Sequence, residues 1–409
     1  MKEKIVNLIA DHVEGMTAEE IATFIEIPPK QELGDYAFPC FRLAKTMHKA
    51  PNLIAADIKE AIGDVDFLDK IDVQGAYLNF FVKKDIFVQT MIEAALKDNF
   101  GGSDEGADKV ICIDYSSPNV AKNFHVGHLR TTIIGNSLYK IYSKLGYKVI
   151  RINHLGDWGT QFGKLIVAYK NWGTKEAVEK DGVAELMRLY VKFHEEADKN
   201  PELVDEARAW FSKMEHGDEE ALSIWQWFKD ISLVEYKRTY DLLGMDFDYY
   251  LGESFYRDKC QDVVDQLTNA NLLKESEGAM IVDLSDYDMA PCIVTKKDGS
   301  SIYATRDLAA IFYRKNTYHF TKCLYVTGQE QKLHFAQVFK VVELLGNDWA
   351  KDSLVHIPYG LVSLEGAKLS TRSGNIIYAE DILHDAIKKS FEIISEKSPN
   401  LPDKEEVAK

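Results

Sequence analysis

A predicted strand, a short loop and the start of a helix occupy residues 110–144, and this stretch constrains the fold more than any other part of the sequence. The run Val110–Ile113 predicts a buried strand, and a helical pattern begins near His125 and ends before Gly146. A second apolar run at Lys148–Ile152 predicts another strand. Because a helical crossover of this length joins parallel strands, the sequence predicts a parallel sheet with a ligand at the carboxyl ends of its strands.

The loop that joins this strand to this helix has the sequence SSPNVAKNFHVGH at residues 116–128. His125 and His128 are three residues apart and share one face of the first helical turn. A helix N-terminus favours a bound phosphate, and Gly127 has no Cβ to keep a base or a phosphate away from the backbone. Imidazole donors can stabilise oxygens that gain charge in a transition state. The pattern therefore predicts a nucleotide site, and loop or core histidines are the structural alternative.

Chain length, charge and cysteine content exclude several classes of protein. The 409 residues are enough for two or three domains, and no apolar run is long enough to span a bilayer. The net charge of −16, from 49 basic and 65 acidic residues, argues against strong non-specific binding to nucleic acid. The cysteines are widely spaced and form no Cys-x-x-Cys motif, which predicts neither a protein metal site nor a disulfide framework. Reduced thiols are typical of a cytoplasmic protein without a membrane segment.

Composition and periodicity divide the chain into three regions. Residues 1–100 predict a small N-terminal α/β domain, which a polar, glycine-rich linker follows. Residues 109–378 predict an α/β domain with a doubly wound, Rossmann-like parallel sheet. A charged helical segment at about 172–240 is predicted to be inserted between its two halves. Residues 379–409 predict the start of a C-terminal helical region.

The longer string SSPNVAKNFHVGHLRTTIIGNSL resembles the first signature of class I aminoacyl-tRNA synthetases, and specifically of the arginyl-tRNA synthetases. A second candidate signature of that class follows more than 200 residues later, where Lys368 and Ser370 match the expected Lys-Met-Ser-Lys pattern and Thr371 stands in place of its second lysine. The resemblance to the arginyl family implies that a lysine just before the first signature supplies the missing charge, and Lys122 occupies that place. The alternative for the second segment alone is a basic solvated turn.

The resemblance implies roles for both signatures. The implied catalytic residues are His125, His128, Lys368 and Lys122. The implied ATP-binding residues are Gly127, Ser370, His125 and His128.

A guanidinium substrate needs carboxylates in planar, bidentate geometry and acceptors that a lysine could not satisfy equally. The segment Tyr303–Asp307 resembles a family element in which the tyrosine and the aspartate contact the guanidinium. The resemblance implies an arginine-binding set of Ser117, Asn119, Glu253, Tyr303, Asp307 and Gln331. Their structural alternatives include a helix N-terminal charge for Asp307, a core position for Tyr303 and a turn cap for Glu253.

The N-terminal domain resembles the added domain of the same family, which contacts the outer corner of tRNA. Aromatic and amide groups on a sheet can contact unpaired bases, and Asn79 is the residue predicted to contact RNA. Family members continue into a C-terminal helical domain that reads the anticodon. Because this chain ends at Lys409, the resemblance predicts that this domain is missing and that the fragment has impaired activity.

The reaction implied by the resemblance is the ATP-dependent activation of L-arginine to arginyl-adenylate, followed by transfer to the 3′ end of tRNA(Arg). ATP is a substrate, and Mg²⁺ is expected to arrive on its phosphates. The protein is expected to be a monomer. Two alternatives remain open: another nucleotidyltransferase with the same first signature, and a non-catalytic fragment that binds RNA or a partner.

Overall fold

The computed structural model describes residues 1–13, 15–297, 302–360, 362–364, 367–368 and 377–409, with only the backbone described at 363–364 and 367–368. Two compact units make up the chain, Met1–Gly101 and Gly102–Lys409.

The first unit packs helices against a small antiparallel sheet. Its helices and strands are α1 (Lys2–Ala10), α2 (Ala18–Phe24), β1 (Tyr36–Pro39), α3 (Ala44–Met47), α4 (Pro51–Ile62), β2 (Leu68–Gln74), β3 (Tyr77–Val82) and α5 (Lys84–Ala95). The strand order is β1-β3-β2, and both pairs are antiparallel. Helix α4 starts with Pro51 at its first turn and ends before Gly63, as the fixed φ of proline and the freedom of glycine favour.

The second unit alternates strands and helices and then becomes helical. Its elements are β4 (Val110–Asp114), α6 (Val126–Lys144), β5 (Lys148–Asn153), α7 (Thr160–Trp172), α8 (Lys175–Ala197), α9 (Glu202–Glu215), α10 (Glu219–Leu242), β6 (Tyr249–Tyr250), α11 (Glu253–Tyr256), α12 (Cys260–Asn269), β7 (Leu273–Ser276), β8 (Ala279–Val282), β9 (Cys292–Thr295), α13 (Tyr303–Tyr318), β10 (Lys322–Gly328), α14 (Lys332–Leu344), α15 (Ala350–Ser353), β11 (Leu354–Tyr359), β12 (Ser363–Leu364), β13 (Ala367–Lys368), α16 (Ala379–Lys397) and α17 (Lys404–Ala408).

The central sheet is parallel, with the order β11-β10-β4-β5-β6 across the described strands. The chain first builds outward from β4 through β5 to β6, and then returns to the other side of β4 with β10 and β11. The connection after β4 runs to β5 on one side, and the connection after β10 runs to β11 on the opposite side, so the direction of the chain switches between β4 and β10. A crevice opens at the carboxyl ends of the strands at such a switch point, where α/β sheets bind their ligands.

Two hydrophobic cores cover the two faces of this sheet. Alternate side chains of β4 enter different cores, because successive residues of a strand point to opposite faces. Ile111 and Ile113 pack with α7, α8, α9 and α10, and Cys112 packs with α12, α13 and α14. Helices on both faces are the hallmark of a doubly wound sheet, and the predicted fold class is confirmed.

The sequence did not distinguish the strands of the central sheet from a separate small one. Strands β8 and β9 lie outside the central sheet, in an antiparallel sheet with the order β7-β8-β9. Periodicity alone cannot show which sheet a short apolar run joins. Helix α7, which begins at Thr160, is not predicted from the sequence.

Candidate active site

A cavity of about 450 Å³ opens at the carboxyl ends of β4 and β10, at the switch point of the sheet. All six residues that the sequence predicted for arginine line this cavity, together with eight others. The full lining is Asp114, Ser117, Asn119, His154, Gly156, Glu253, Tyr303, Arg306, Asp307, Tyr325, Thr327, Gln331, His334 and Phe335. Residues from five separate segments of the chain therefore meet in one pocket.

The loop between β4 and α6 has a strained backbone. Ser116, Ser117 and Ala121 have φ values of 70°, 48° and 59°, in the left-handed region that residues with a Cβ rarely adopt. Hydrogen bonds counter this strain: the Thr131 hydroxyl accepts from the Ser116 N–H at 3.2 Å, and the Ser232 hydroxyl accepts from the Ala121 N–H at 3.0 Å. Such strain is typical of functional loops that the surrounding structure holds in place.

The two signature histidines form a reciprocal cap at the N-terminus of α6. His125 Nδ1 accepts from the Gly127 N–H at 3.1 Å, and His128 Nδ1 accepts from the His125 N–H at 3.2 Å. The two rings are stacked with their centroids 3.9 Å apart. Since each Nδ1 is an acceptor, each neutral ring carries its proton on Nε2 and can donate from there.

Burial keeps both of these histidines neutral. It lowers the pKa of His125, with a further lowering from the charge of Lys122. The pKa of His128 lies well below its ordinary value, first because of burial and then because of His125 and Lys122. The charge of Lys122 therefore acts on both imidazoles.

Gly127 has a structural reason to be glycine in addition to the predicted approach of a ligand. A Cβ at this position would lie 2.8 Å from Cε1 of His125. A side chain here would displace the His125 ring from its cap.

Three of the carboxylates around the cavity are paired with permanent cations. Asp114 Oδ2 lies 2.8 Å from Nη2 of Arg314, and Glu253 Oε2 lies 2.6 Å from Nη1 of Arg306. Asp157, just behind the wall, lies 2.6 Å from Nζ of Lys229.

The fourth carboxylate of this group, Asp307, has a different partner. Its Oδ2 lies 2.6 Å from Nε2 of His334, a side chain that can be neutral. Within the described part of this cavity and its wall, Asp307 is thus the carboxylate that pairs with a histidine instead of an arginine or a lysine.

Burial opposes the ionised form of Glu253, and the ion pair with Arg306 supports it. Burial raises its pKa from 4.5 to about 7, Asp307 and Asp157 add to the rise, and Arg306 opposes it. The side chains of Glu253 and Arg306 are each only 10% exposed. Glu253 lines the cavity as the sequence predicted, but its carboxylate already pairs with an arginine of the chain itself.

The second signature lies mostly outside the described residues. Ser370 and Thr371 fall there, and for Lys368 the structure gives the backbone, which pairs with Ser363 in the β12-β13 hairpin. The chain that follows is described: the Ile377 carbonyl accepts from the Val126 N–H at 3.0 Å. The end of the second signature segment is therefore joined to the helix that carries the first.

Comparison with known proteins identifies the family. Residues 90–409 match the family "tRNA synthetases class I (R), catalytic domain", and residues 2–82 match the "Arginyl tRNA synthetase N terminal domain". The chain is 56% identical over 410 residues to an arginine–tRNA ligase of Alkaliphilus metalliredigens (strain QYMF), and 55% identical to that of Clostridioides difficile (strain 630). Each alignment covers 100% of this chain and 72% of the relative.

The chain belongs to the arginyl-tRNA synthetase family of class I. Solved structures agree on the fold. The Thermus thermophilus arginyl-tRNA synthetase superimposes with a TM-score of 0.71 at 22% identity, covering 100% of this chain and 73% of that one. The Plasmodium falciparum enzyme gives a TM-score of 0.68 at 21% identity, covering 100% and 71%. No helix in the described ranges is long and apolar enough to cross a membrane.

The N-terminal domain of this arginyl-tRNA synthetase chain buries the residue predicted to contact RNA. Asn79 lies on the central strand β3 and is only 4% exposed. Its Cβ is packed near Gly34, where an added Cβ would come within 3.5 Å of it. This burial argues against a direct contact between the Asn79 side chain and RNA. The sequence could not show it, because alternation along a strand does not tell which of the two faces is exposed.

Sequence reasoning also missed several residues of the site. His154 lines the cavity, and its Nδ1 accepts a hydrogen bond from Nη2 of Arg314 at 3.1 Å, since a guanidinium can only donate. Burial lowers the pKa of His154, so its ring is neutral with the proton on Nε2. His334 lies three residues after the predicted Gln331, but only the fold brings it to Asp307.

Proposed function

We propose that this chain activates L-arginine with ATP in the cavity at the switch point, and that it transfers the arginyl group to the 3′ end of tRNA(Arg). The observation that carries the proposal is the charge arrangement of the cavity. Arg314, Arg306 and Lys229 compensate three of the four carboxylates, and Asp307 faces a histidine. The pocket therefore lacks one positive charge, which the guanidinium of arginine supplies.

In this proposal, the side chain of arginine binds at the α13 end of the cavity. Asp307 accepts from the guanidinium, and Tyr303 on the first turn of the same helix contributes its ring and hydroxyl. Glu253 acts together with Arg306, since their ion pair forms part of the same wall. A planar guanidinium can satisfy two acceptors at once, whereas the ammonium of lysine has neither the plane nor the fork.

The backbone end of arginine lies toward the first signature in this arrangement. Ser117 donates its hydroxyl proton to Asp114 at 2.9 Å, which leaves the oxygen lone pairs as acceptors for an α-ammonium group. Asn119 and Gln331 line the same cavity and offer amide groups to the α-amino and carboxylate ends.

Positioning and charge stabilisation supply the catalysis. The carboxylate of arginine attacks the α-phosphorus of ATP in line, forming arginyl-adenylate and releasing pyrophosphate. The Nε2–H groups of His125 and His128 donate to phosphate oxygens as charge develops there, and Lys122 adds a permanent charge beside them. Lys368 and Ser370 are proposed to act on the same phosphates from the second signature, and Mg²⁺ to arrive with the nucleotide.

The 2′-hydroxyl of the terminal adenosine of tRNA(Arg) then takes the arginyl group, and AMP leaves. The N-terminal domain is proposed to contact this tRNA through exposed groups instead of Asn79. Tyr77 and Phe41 are 37% and 44% exposed, and their rings meet edge to face with centroids 6.0 Å apart. Such aromatic pairs can stack on unpaired bases. A monomeric, cytoplasmic enzyme stays a prediction.

The test is titration of the chain with arginine, lysine and citrulline by calorimetry, with and without a non-hydrolysable ATP analogue. Arginine is expected to bind selectively, and Asp307→Asn to weaken it about a hundredfold, as loss of a buried charge-assisted contact predicts. Asp286→Asn, at an exposed position, is the matched control. Binding of citrulline as tight as that of arginine would overturn the charge argument.

Activity separates the enzyme from the two alternatives. Arginine-dependent exchange of pyrophosphate into ATP, measured with and without tRNA, is expected for the enzyme. Exchange that depends on a different small acid would favour another nucleotidyltransferase. Absence of both ATP binding and exchange, with RNA binding retained, would favour the non-catalytic fragment.

A further inference from the structure

One face of α10, the last helix of the inserted segment, is bonded to the walls of the cavity. Five polar or aromatic side chains recur along it at intervals of three or four residues, so they share one face. Each makes a hydrogen bond to a loop or strand end beside the cavity, and they are Trp225, Lys229, Ser232, Tyr236 and Tyr240. The sequence predicted this segment only as charged and helical.

The C-terminal half of this face holds the first signature loop. The Tyr236 hydroxyl lies 2.7 Å from the carbonyl oxygens of both Asn119 and Lys122, and its single proton can donate to either of them. Tyr240 bonds Ser116 at 2.7 Å, and Ser232 accepts from Ala121. These bonds fall on the segment with left-handed backbone, where an unsupported loop would relax.

The N-terminal half of the face holds the segment that carries Glu253. Lys229 Nζ lies 2.6 Å from Oδ2 of Asp157, whose side chain is completely buried. The same carboxylate accepts from the Ser254 N–H at 2.8 Å and from the Ser254 hydroxyl at 2.7 Å. Trp225 donates to the Asp157 carbonyl at 2.7 Å.

The approach between these two segments is very close. A Cβ at Gly252 would lie 2.3 Å from Oδ1 of Asp157, so only glycine lets the chain pass this carboxylate. Glu253 is thus fixed between Gly252 and Ser254, which both contact Asp157. Asp157 is in turn held by Lys229.

We propose that Lys229 and Tyr236 are positioning residues for the amino-acid pocket, because they fix its two walls, the first signature loop and the Glu253 segment, to one rigid helix. This inference rests on the proposed function of the cavity as the arginine site. Neither residue lines the cavity, so both act through others: Tyr236 through Asn119 and Lys122, and Lys229 through Asp157 and Ser254.

Stability alone does not account for a buried ion pair in this place. Taking a lysine and an aspartate out of water is costly, and apolar residues of similar volume often stabilise a fold as well or better. A carboxylate that accepts three directed hydrogen bonds does what an apolar side chain cannot, because it sets the direction of the Ser254 N–H and hydroxyl. The pair therefore fits a role in geometry.

The test compares Tyr236→Phe and Lys229→Met with Lys237→Met, a control on the same helix whose ammonium lies over the Tyr250 ring. Calorimetry gives the Kd for arginine, and steady-state exchange gives kcat and KM. Tyr236→Phe and Lys229→Met are each expected to raise the arginine Kd about tenfold and to lower kcat, because loosened groups lose their alignment. Lys237→Met is expected to leave the Kd unchanged.

A milder variant covers the case in which Lys229→Met does not fold. Ser254→Ala removes only the 2.7 Å hydroxyl bond to Asp157, and it is expected to raise the arginine Kd a few-fold while the protein still folds with only a small decrease in melting temperature. Wild-type arginine affinity in Ser254→Ala and Tyr236→Phe would overturn the positioning role. Failure of the wild-type chain itself to bind arginine would instead overturn the proposed function.

The pH dependence supplies a readout that a purely structural role would not move. The groups around Glu253 are Arg306, Asp307 and Tyr303 from α13, and Asp157 with Lys229 behind it. Loss of the Lys229 charge leaves Asp157 uncompensated, and the Asp157 charge then raises the pKa of Glu253 further. The pH midpoint of arginine affinity is therefore expected to move upward in Lys229→Met. An unchanged midpoint, together with a raised Kd, would mean that Lys229 acts on packing alone and would overturn its assigned role.

Discussion

The carboxylate of Asp307 and the imidazole of His334 are joined across the cavity, with 2.6 Å between Oδ2 and Nε2. Asp307 lies on the first turns of α13, and His334 lies on the first turn of α14. Because an ionised carboxylate can only accept a hydrogen bond, Nε2 is the donor, and the second carboxylate oxygen remains for the substrate. This contact both orients the carboxylate and leaves its negative charge without a permanent cation.

Loss of the His334 donor should weaken arginine binding. In His334→Leu, the Asp307 carboxylate can rotate away, and the arginine Kd is expected to rise about tenfold, the lower end of what one hydrogen bond to a charged group contributes. Citrulline binding should change little, since it lacks the positive charge. The exposed His384→Leu is the control, and calorimetry is the measurement. A tighter arginine Kd in His334→Leu would mean that the histidine competes with the substrate.

The raised pKa of Glu253 makes stability depend on pH. The folded chain holds this proton more tightly than the unfolded chain, because the pKa rises from 4.5 to about 7. The contribution of Glu253 to the free energy of unfolding is therefore complete below about pH 4.5, and about 3 kcal/mol of it is lost as the pH rises through 7. Urea denaturation of wild type and Glu253→Gln at pH 5 and pH 8 measures the difference. A pH-independent difference would contradict the raised pKa.

A methyl group at Gly156 should disturb the pocket without unfolding the protein. Its Cβ would lie 2.0 Å from Oδ1 of Asn119, and the flexible amide can move away. Gly156→Ala is expected to raise the arginine Kd about tenfold by displacing this amide from the cavity. At Gly360, the nearest described atom to an added Cβ is 3.9 Å away, so Gly360→Ala should bind arginine normally. Equal affinities for the two variants would contradict the placement of Asn119.

The buried pair of Arg314 and Asp114 should be needed for stability when one partner is removed. Arg314 is completely buried, and its Nε and Nη1 have no hydrogen-bond partner among the described atoms. Arg314→Met leaves the Asp114 charge uncompensated and is expected to cost about 3–5 kcal/mol of unfolding free energy. Addition of Asp114→Asn should recover part of that loss, as a double-mutant cycle by thermal denaturation would show. Strict additivity would mean that the two charges do not interact.

Local signals in the sequence predicted most of what depends on neighbouring residues. The run Val110–Ile113, the helix that starts after His125 and the strand from Lys148 all occur as predicted, because apolar period and capping act over a few residues. The family's signature residues then indicated Tyr303, Asp307 and Glu253, and all three line the cavity. The separate sheet of β7, β8 and β9 was not predicted, since strand pairing depends on distant segments.

The sequence by itself determined the fold class, the two signatures and the residues most suited to a guanidinium. The tertiary structure alone decided how those residues are paired. Arg306 neutralises Glu253, Lys229 holds Asp157, and Asp307 is left to a histidine. The Lys229–Asp157 contact spans 72 residues and the Glu253–Arg306 contact spans 53. The physical reason is that charge compensation depends on distances of a few ångströms, which only the packing of α10, α13 and the loop after β5 can set.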